Sequence, residues 1–226
     1  MVAPEITPHF EFSAGAPVLN FLNTVWEREG YLTANPEPPH ELLTSGKELL
    51  RWMENSGLRS TEAGIPSRPW RNLSEESQVL SQFVRTREII FCLFRDVILK
   101  SKQLPDSLNA FNRLVEKLSG QRLIAVQGRF ELDSVCERSL ELYLEDLIRD
   151  ACSVLCSSQL SRLRFCDADD CGWIFLDTSK NGKRRWCNMS DCGNRDKAKR
   201  FFERKRQANR PRVTSRSRLA KAIDRS

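Results

Sequence analysis

Four cysteines in the last third of the chain constrain its folding most tightly. Cys166 and Cys171 are separated by four residues, Cys187 and Cys192 by four more, and fifteen lie between the pairs. Each second cysteine precedes a glycine, Gly172 or Gly193, so the unit C-x4-C-G occurs twice. A pair so spaced folds its chain back until both sulfurs face one point. Turn amides can then donate to the thiolates, and glycine after the second cysteine permits a positive φ. Four thiolates at about 2.3 Å from a Zn²⁺ ion make a closed, tetrahedral structural site. Disulfides are the competing use. The opening stretch "MVAPEITPHFEF" lacks a basic segment followed by an apolar one, so no secretory signal is expected. A reducing compartment then favours metal over disulfides, with an iron–sulfur cluster as the remaining alternative. Catalytic zinc is disfavoured: the two histidines, His9 and His40, lie far upstream, and no H-E-x-x-H pattern exists.

Between the pairs, "WIFL" reads as a strand, "DTSKNGK" as a turn around Asn181-Gly182, and "RRW" as the returning strand. After the last cysteine, Asn194 is an N-cap candidate for the helix "RDKAKRFFERKR". Ala198, Phe201 and Phe202 share a face of it suited to packing on the hairpin, against Trp173 and Trp186. So small a segment buries too little apolar surface to fold alone, and metal binding would supply most of its stability.

Charge separates this module from what precedes it. Residues 162–226 carry 19 Lys and Arg against 8 Asp and Glu, a net of +11, whereas residues 1–161 carry 17 against 22, a net of −5. An acidic body with a basic appendage suggests a polyanionic partner. Candidate contacts to double-stranded DNA are Lys183, Arg184 and Arg185 in the hairpin, extended by Lys180. On the helix they are Arg195, Lys197, Lys199, Arg200, Arg204 and Arg206. The trailing "NRPRVTSRSRLAKAIDRS" reads as a basic flexible tail adding backbone contacts.

The body reads as predominantly helical. "APVLNFLNTVWERE" has Val18, Leu19, Leu22 and Val25 at helical spacing, and "NPEPPHE" and "STEAGIPSRPW" read as loops. Ser45 and Glu48 form a capping box for a short helix that Gly57 ends. A long helix starts near Ser74, with Pro105 marking its latest possible end, and "DSLNAFNRLVEKL" is another. "RLIAVQGRFELD" predicts a hairpin about Gln127-Gly128, and "SVCERSLELYLEDLIRDACSVLCSSQL" a last long helix. Strands and helices do not alternate, so the expected class is α+β: a predominantly helical N-terminal domain with a small β-hairpin, then a small four-cysteine zinc-finger domain built from a β-hairpin and a basic helix. No apolar run approaches the roughly 20 residues of a membrane span, and no nucleophile elbow, P-loop or dinucleotide fingerprint is present.

The segment "CDADDCGWIFLDTSKNGKRRWCNMSDCGNRDKAKR" resembles the CGNR zinc finger, whose signature stands here as Cys192-Gly193-Asn194-Arg195. The body resembles the ABATE domain, associated with stress-induced transcription regulation. Its apolar run ending in Asn-Thr stands as "VLNFLNT", and its helical Arg-Glu pair as Arg87-Glu88. Asn20 occupies a position where Asp is common in that family. The resemblance implies a bacterial transcription regulator, cytoplasmic and associated with the nucleoid.

The expected organisation is a sensor or dimerisation domain over 10–160, a finger over 162–206 and the tail over 207–226. Asn23, Thr24 and Arg87 are candidates to line a pocket for a small polar or anionic effector, against internal hydrogen bonding and ion pairing. A homodimer is a further expectation. Cys92, Cys136, Cys152 and Cys156 read as small buried helix residues, against a redox or second metal pair at Cys152 and Cys156. Two rival functions share these features: an RNA- or ribosome-associated zinc module, and an enzyme with its site in the N-terminal domain. No clustered catalytic residues support the second.

Overall fold

A computed structural model describes residues 9–26, 40–58, 70–118, 121–126, 129–134 and 140–208. Helix α1 is short, Pro17–Leu22, with Pro17 at its first turn and Val18 through Leu22 all buried. The apolar run extends beyond that helix. Thr24 donates its hydroxyl to the Phe21 carbonyl at 2.8 Å. The chain then straightens into β1, Val25–Trp26, which pairs antiparallel with β2, His40–Glu41. Val25 therefore belongs to a strand and not to the amphipathic helix its spacing suggests. A helix buried on every side shows no periodicity that marks its end.

Helix α2, Gly46–Asn55, begins as the capping box requires: the Ser45 hydroxyl accepts from the Glu48 amide at 3.3 Å. Gly57 follows its end at φ +71°. Helix α3, Leu73–Leu99, is capped by Asn72, which accepts from the Glu75 amide, and it stops short of Pro105, at a left-handed Lys100. Helix α4, Leu104–Val115, takes Pro105 into its first turn, where a missing N–H costs nothing. Strands β3, Gln121–Val126, and β4, Arg129–Ser134, form the expected antiparallel hairpin, and α5, Leu140–Cys156, leads out of the body. Residues 27–39, 59–69, 127–128, Cys136 and 209–226, on which the expected loops, turn and tail fall, lie outside the described residues.

Two apolar clusters meet at α1. On one side Phe21 packs with Trp52 of α2, Phe83 of α3 and Tyr143 and Leu147 of α5. On the other, Val18, Leu19 and Leu22 join Phe91 and Phe94 of α3 and Ala151 of α5. That second cluster continues without a break into Trp173, Ile174, Phe175, Cys166, Cys171, Cys187 and Cys192. The cysteine module is thus part of the body's core and not an appendage on a linker. Each large side chain buried there contributes about 1.5–3 kcal/mol.

In the module, β5, Leu163–Phe165, pairs antiparallel with β6, Ile174–Leu176, in the register Phe165↔Ile174. The expected strand over "WIFL" is present, but its partner precedes the first cysteine pair. "RRW" adds only a single ladder-like bond, from the Asp167 amide to the Arg185 carbonyl at 2.9 Å. Helix α6, Asn194–Ala208, continues directly from a wide turn over Met189–Gly193.

Candidate metal centre and cationic helix

The β5–β6 ladder ends with the Cys166 amide donating to the Trp173 carbonyl at 2.8 Å, so Cys166 to Gly172 forms the loop of the hairpin. Gly172 adopts φ +68°, the left-handed backbone its position was expected to need. The second pair is built differently. Asn188 accepts from the Ser190 amide and hydroxyl at 2.9 and 2.7 Å and starts the wide turn that delivers Cys192. The capping residue is therefore Asn188; Asn194, further along, ties the turn shut by donating its side-chain amide to the Ser190 carbonyl at 2.9 Å. Gly193 has no positive φ. A Cβ there would lie 2.5 Å from the Met189 Sδ, so close packing and not backbone handedness accounts for this glycine.

These turns bring Cys166, Cys171, Cys187 and Cys192 together, all buried, with their sulfurs within 4.8 Å of one another. Cys187 Sγ lies 3.6 Å from both Cys171 Sγ and Cys192 Sγ. Four sulfurs at about 2.3 Å from a tetrahedral zinc would stand about 3.8 Å apart, so the cage fits that ion. The Cys187 amide donates to Cys166 Sγ at 3.4 Å and Arg195 donates to Cys192 Sγ at 3.3 Å, both bonds favouring thiolate. The thiols are coupled: hydrogen bonds from the other three hold Cys166 below the usual thiol range, while Cys171 is pushed up by its bonds to the same group. A divalent cation takes the place of those shared protons. The centre is a Zn²⁺ site with every ligand position filled by protein. His9 is exposed beside Glu11, and neither it nor His40 joins the cluster.

The cations assigned from sequence fall into three groups. Arg184 and Arg195 are turned inward. Arg184 lies 4.6 Å from the Phe175 ring centroid and donates to the carbonyls of Trp186, Ser13 and Cys187. Arg195 pairs with Asp191 at 2.9 Å and Asp170 at 3.2 Å besides its sulfur bond, which holds its guanidinium above its ordinary pKa against the opposing effect of burial. Arg185, Lys199 and Arg200 are exposed but ion-paired, with Asp167, Asp169 and Asp196 in turn. Lys183, Lys197, Arg204 and Arg206 are exposed, and no carboxylate holds them among the described residues. Sequence reading passes over the acidic "DADD" loop, although its opposite charge to Arg185, Arg195 and Lys199 is visible there. It also places Ala198, Phe201 and Phe202 against the hairpin, whereas all three are exposed, Phe201 at 57% and Phe202 at 62%.

Asn23, Thr24 and Arg87 are buried and internally satisfied. Asn23 donates to the Ile174 carbonyl at 2.9 Å and accepts from the Ile174 amide at 3.1 Å, so it extends β6 like a strand partner. Beside it, Trp173 Nε1 donates to the Val25 carbonyl at 2.6 Å and the Leu176 amide to the Ala14 carbonyl at 2.8 Å. Arg87 holds Glu41 at two points, 2.5 and 2.7 Å, and donates to Thr24 Oγ1 at 2.9 Å and to Glu88 at 2.8 Å. The Asn-Thr motif therefore clasps the metal module, and Arg87 secures the clasp from behind. Asn20 accepts from the Ala14 amide at 3.0 Å, an amide serving where no carboxylate is required. Cys152 and Cys92 are half-buried, and Cys156 is exposed, unlike the burial expected of it. Burial pushes the Cys152 thiol up, with the neighbouring Cys156 adding to the effect.

The ABATE family model, "Putative stress-induced transcription regulator", matches residues 15–158, and the CGNR zinc finger model matches residues 162–205. No curated protein matches the chain. Among the described residues no helix is long and apolar enough to cross a membrane. With more than half its length matched, the chain belongs to the ABATE family and carries a CGNR zinc finger.

Proposed function

We propose that this ABATE-family protein is a DNA-binding transcription regulator whose zinc centre fixes the orientation of α6 for double-stranded DNA. The observation that carries the reading is the outward cation row of α6, rooted in the metal cage: Arg195, one residue into the helix, is bound to a ligand sulfur. Lys183, Lys197, Arg204 and Arg206 take phosphates directly. Arg185, Lys199 and Arg200 exchange their aspartates for phosphate, and Arg184 and Arg195 act as braces. Zinc contributes shape and not chemistry, so the protein acts as a regulator and not as an enzyme.

In this reading the residues up to about 160 form the regulatory body, and any effector or second copy acts there. Asn23, Thr24 and Arg87 transmit such an event to β6 without touching a ligand. The test is binding of the zinc-loaded protein to mixed-sequence duplex DNA across a salt series. Charge reversal at Lys197 and Arg204 removes two phosphate contacts, and the slope of log affinity on log salt falls by about 0.9 per contact. An unchanged slope, or preference for structured RNA over duplex DNA in competition, refutes it.

A further inference from the structure

Helix α6 carries an exposed aromatic pair that neither the metal centre nor the body uses. At about 100° per residue, Ala198, Phe201, Phe202 and Lys205 lie on one side of the helix. Asp196, Arg200 and Glu203, which line the groove against Trp186, lie on the other. Phe201 and Phe202 therefore point away from the protein, 57% and 62% exposed, with Lys197 and Arg204 along one flank and Arg206 along the other. Their ring centroids are 5.7 Å apart and the ring planes stand at 74°.

Charge and size decide what fits this face. The helix has seven Lys and Arg against two Asp and Glu, so a second copy of α6 laid along it meets like charge. Two rings also fall far short of the roughly 800 Å² per partner that a stable protein interface buries. A lipid surface needs a long apolar stripe, whereas Ala198 and Ala208 are the only other apolar residues of the fifteen. A nucleic acid presents what this face complements: phosphates outside for the flanking cations, and flat apolar base faces between them for the rings.

We infer that Phe201 and Phe202 form a wedge that enters the DNA duplex and unstacks a base step while the flanking cations hold the phosphates. Because the rings are nearly perpendicular, one lies parallel to the bases and the other rests against the sugar edge. The inference rests on the DNA-binding reading and specifies its mode. Apolar wedges of this kind kink the duplex and widen the surface it offers to the protein.

The test uses the full zinc-loaded chain and mixed-sequence duplex DNA carrying 2-aminopurine, whose fluorescence rises when its base is unstacked. Wild type should bind and raise the signal. The Phe201→Ala/Phe202→Ala variant should bind roughly 5- to 150-fold more weakly per stacked ring lost, with no fluorescence rise and with the salt slope unchanged. Both positions are exposed, so the variant keeps its fold, and circular dichroism verifies this. Wild-type binding with a flat 2-aminopurine signal, or equal affinity of the variant, overturns the wedge and leaves the DNA reading standing. No duplex binding by wild type overturns both. Loss of a sedimenting dimer in the DNA-free variant assigns the face to a second copy, and loss of binding to anionic vesicles assigns it to a membrane; each overturns the wedge.

Discussion

Replacing Asn23 by Leu tests whether the metal module and the helical body are one folding unit. Leucine keeps the branched outline and the heavy-atom count of the Asn23 side chain, and it removes both hydrogen bonds to Ile174, at 2.9 and 3.1 Å. The site is buried and the new side chain excludes water, so the Ile174 amide and carbonyl are left without partners. Each such group costs about 1–3 kcal/mol, about 2–6 kcal/mol for the two, against a total stability of order 5–15 kcal/mol. At about 2–4 °C per kcal/mol for a protein of this size, Tm falls by at least about 4 °C. Two probes are followed in one melt: helix content by far-ultraviolet circular dichroism, and zinc release by a chelating dye. Because one apolar cluster runs from Val18 and Phe94 to the four cysteines, both transitions move down together. A shift below about 1 °C refutes the energetic assignment. Early zinc release with the helical transition unmoved refutes the shared core.

Three further outcomes follow from the same contacts. Cys192→Ser removes one ligand from a buried cage and lowers the melting temperature of the helices as well as of the finger, a coupling that charge and spacing did not suggest; an unchanged helical transition contradicts it. Arg87→Lys keeps the charge but cannot hold Glu41 at two points or reach Thr24 and Glu88 together, and it costs about 3 kcal/mol in chemical denaturation; a loss of effector response without loss of stability would reassign this residue to a ligand site. Asp150 has its pKa raised, first by burial and then by the charge of Asp146, against the lowering effect of the Val18 amide. Its ionisation therefore opposes folding at neutral pH, and the penalty fades as pH falls through the folded value toward the unfolded value of about 3.9. Asp150→Asn, which still accepts from Val18, should raise Tm at pH 7 and lose that gain near pH 4; a gain independent of pH excludes the mechanism.

Features set by near neighbours were legible in the sequence. The repeated C-x4-C-G unit pointed to a metal centre and to its four ligands because tetrahedral thiolate binding needs little beyond a chain reversal at each pair. The Ser45–Glu48 capping box and the hairpin about residues 127–128 were readable for the same reason: their bonds close within a few residues. Spacing misled where burial is complete, as in α1, whose end is set by Thr24 and not by any polar face. Gly193 shows the limit at a single position: its role was credited to φ, and the packing of Met189 decides it.

What depends on distant parts of the chain emerged only from the folded protein. Asn23 and Ile174 are 151 residues apart, and nothing local to either announces that one completes the other's strand. A net charge of +11 over residues 162–226 marked the cationic end of the chain but could not separate Lys197 and Arg204 from Arg184 and Arg195. Composition counts charges, whereas pairing depends on which carboxylates the turns place within about 4 Å. The direction of Phe201 and Phe202 is the clearest case. Helical spacing put them on one face, and only the docking of α6 through Arg195, Lys199 and the Trp186 groove turned that face outward.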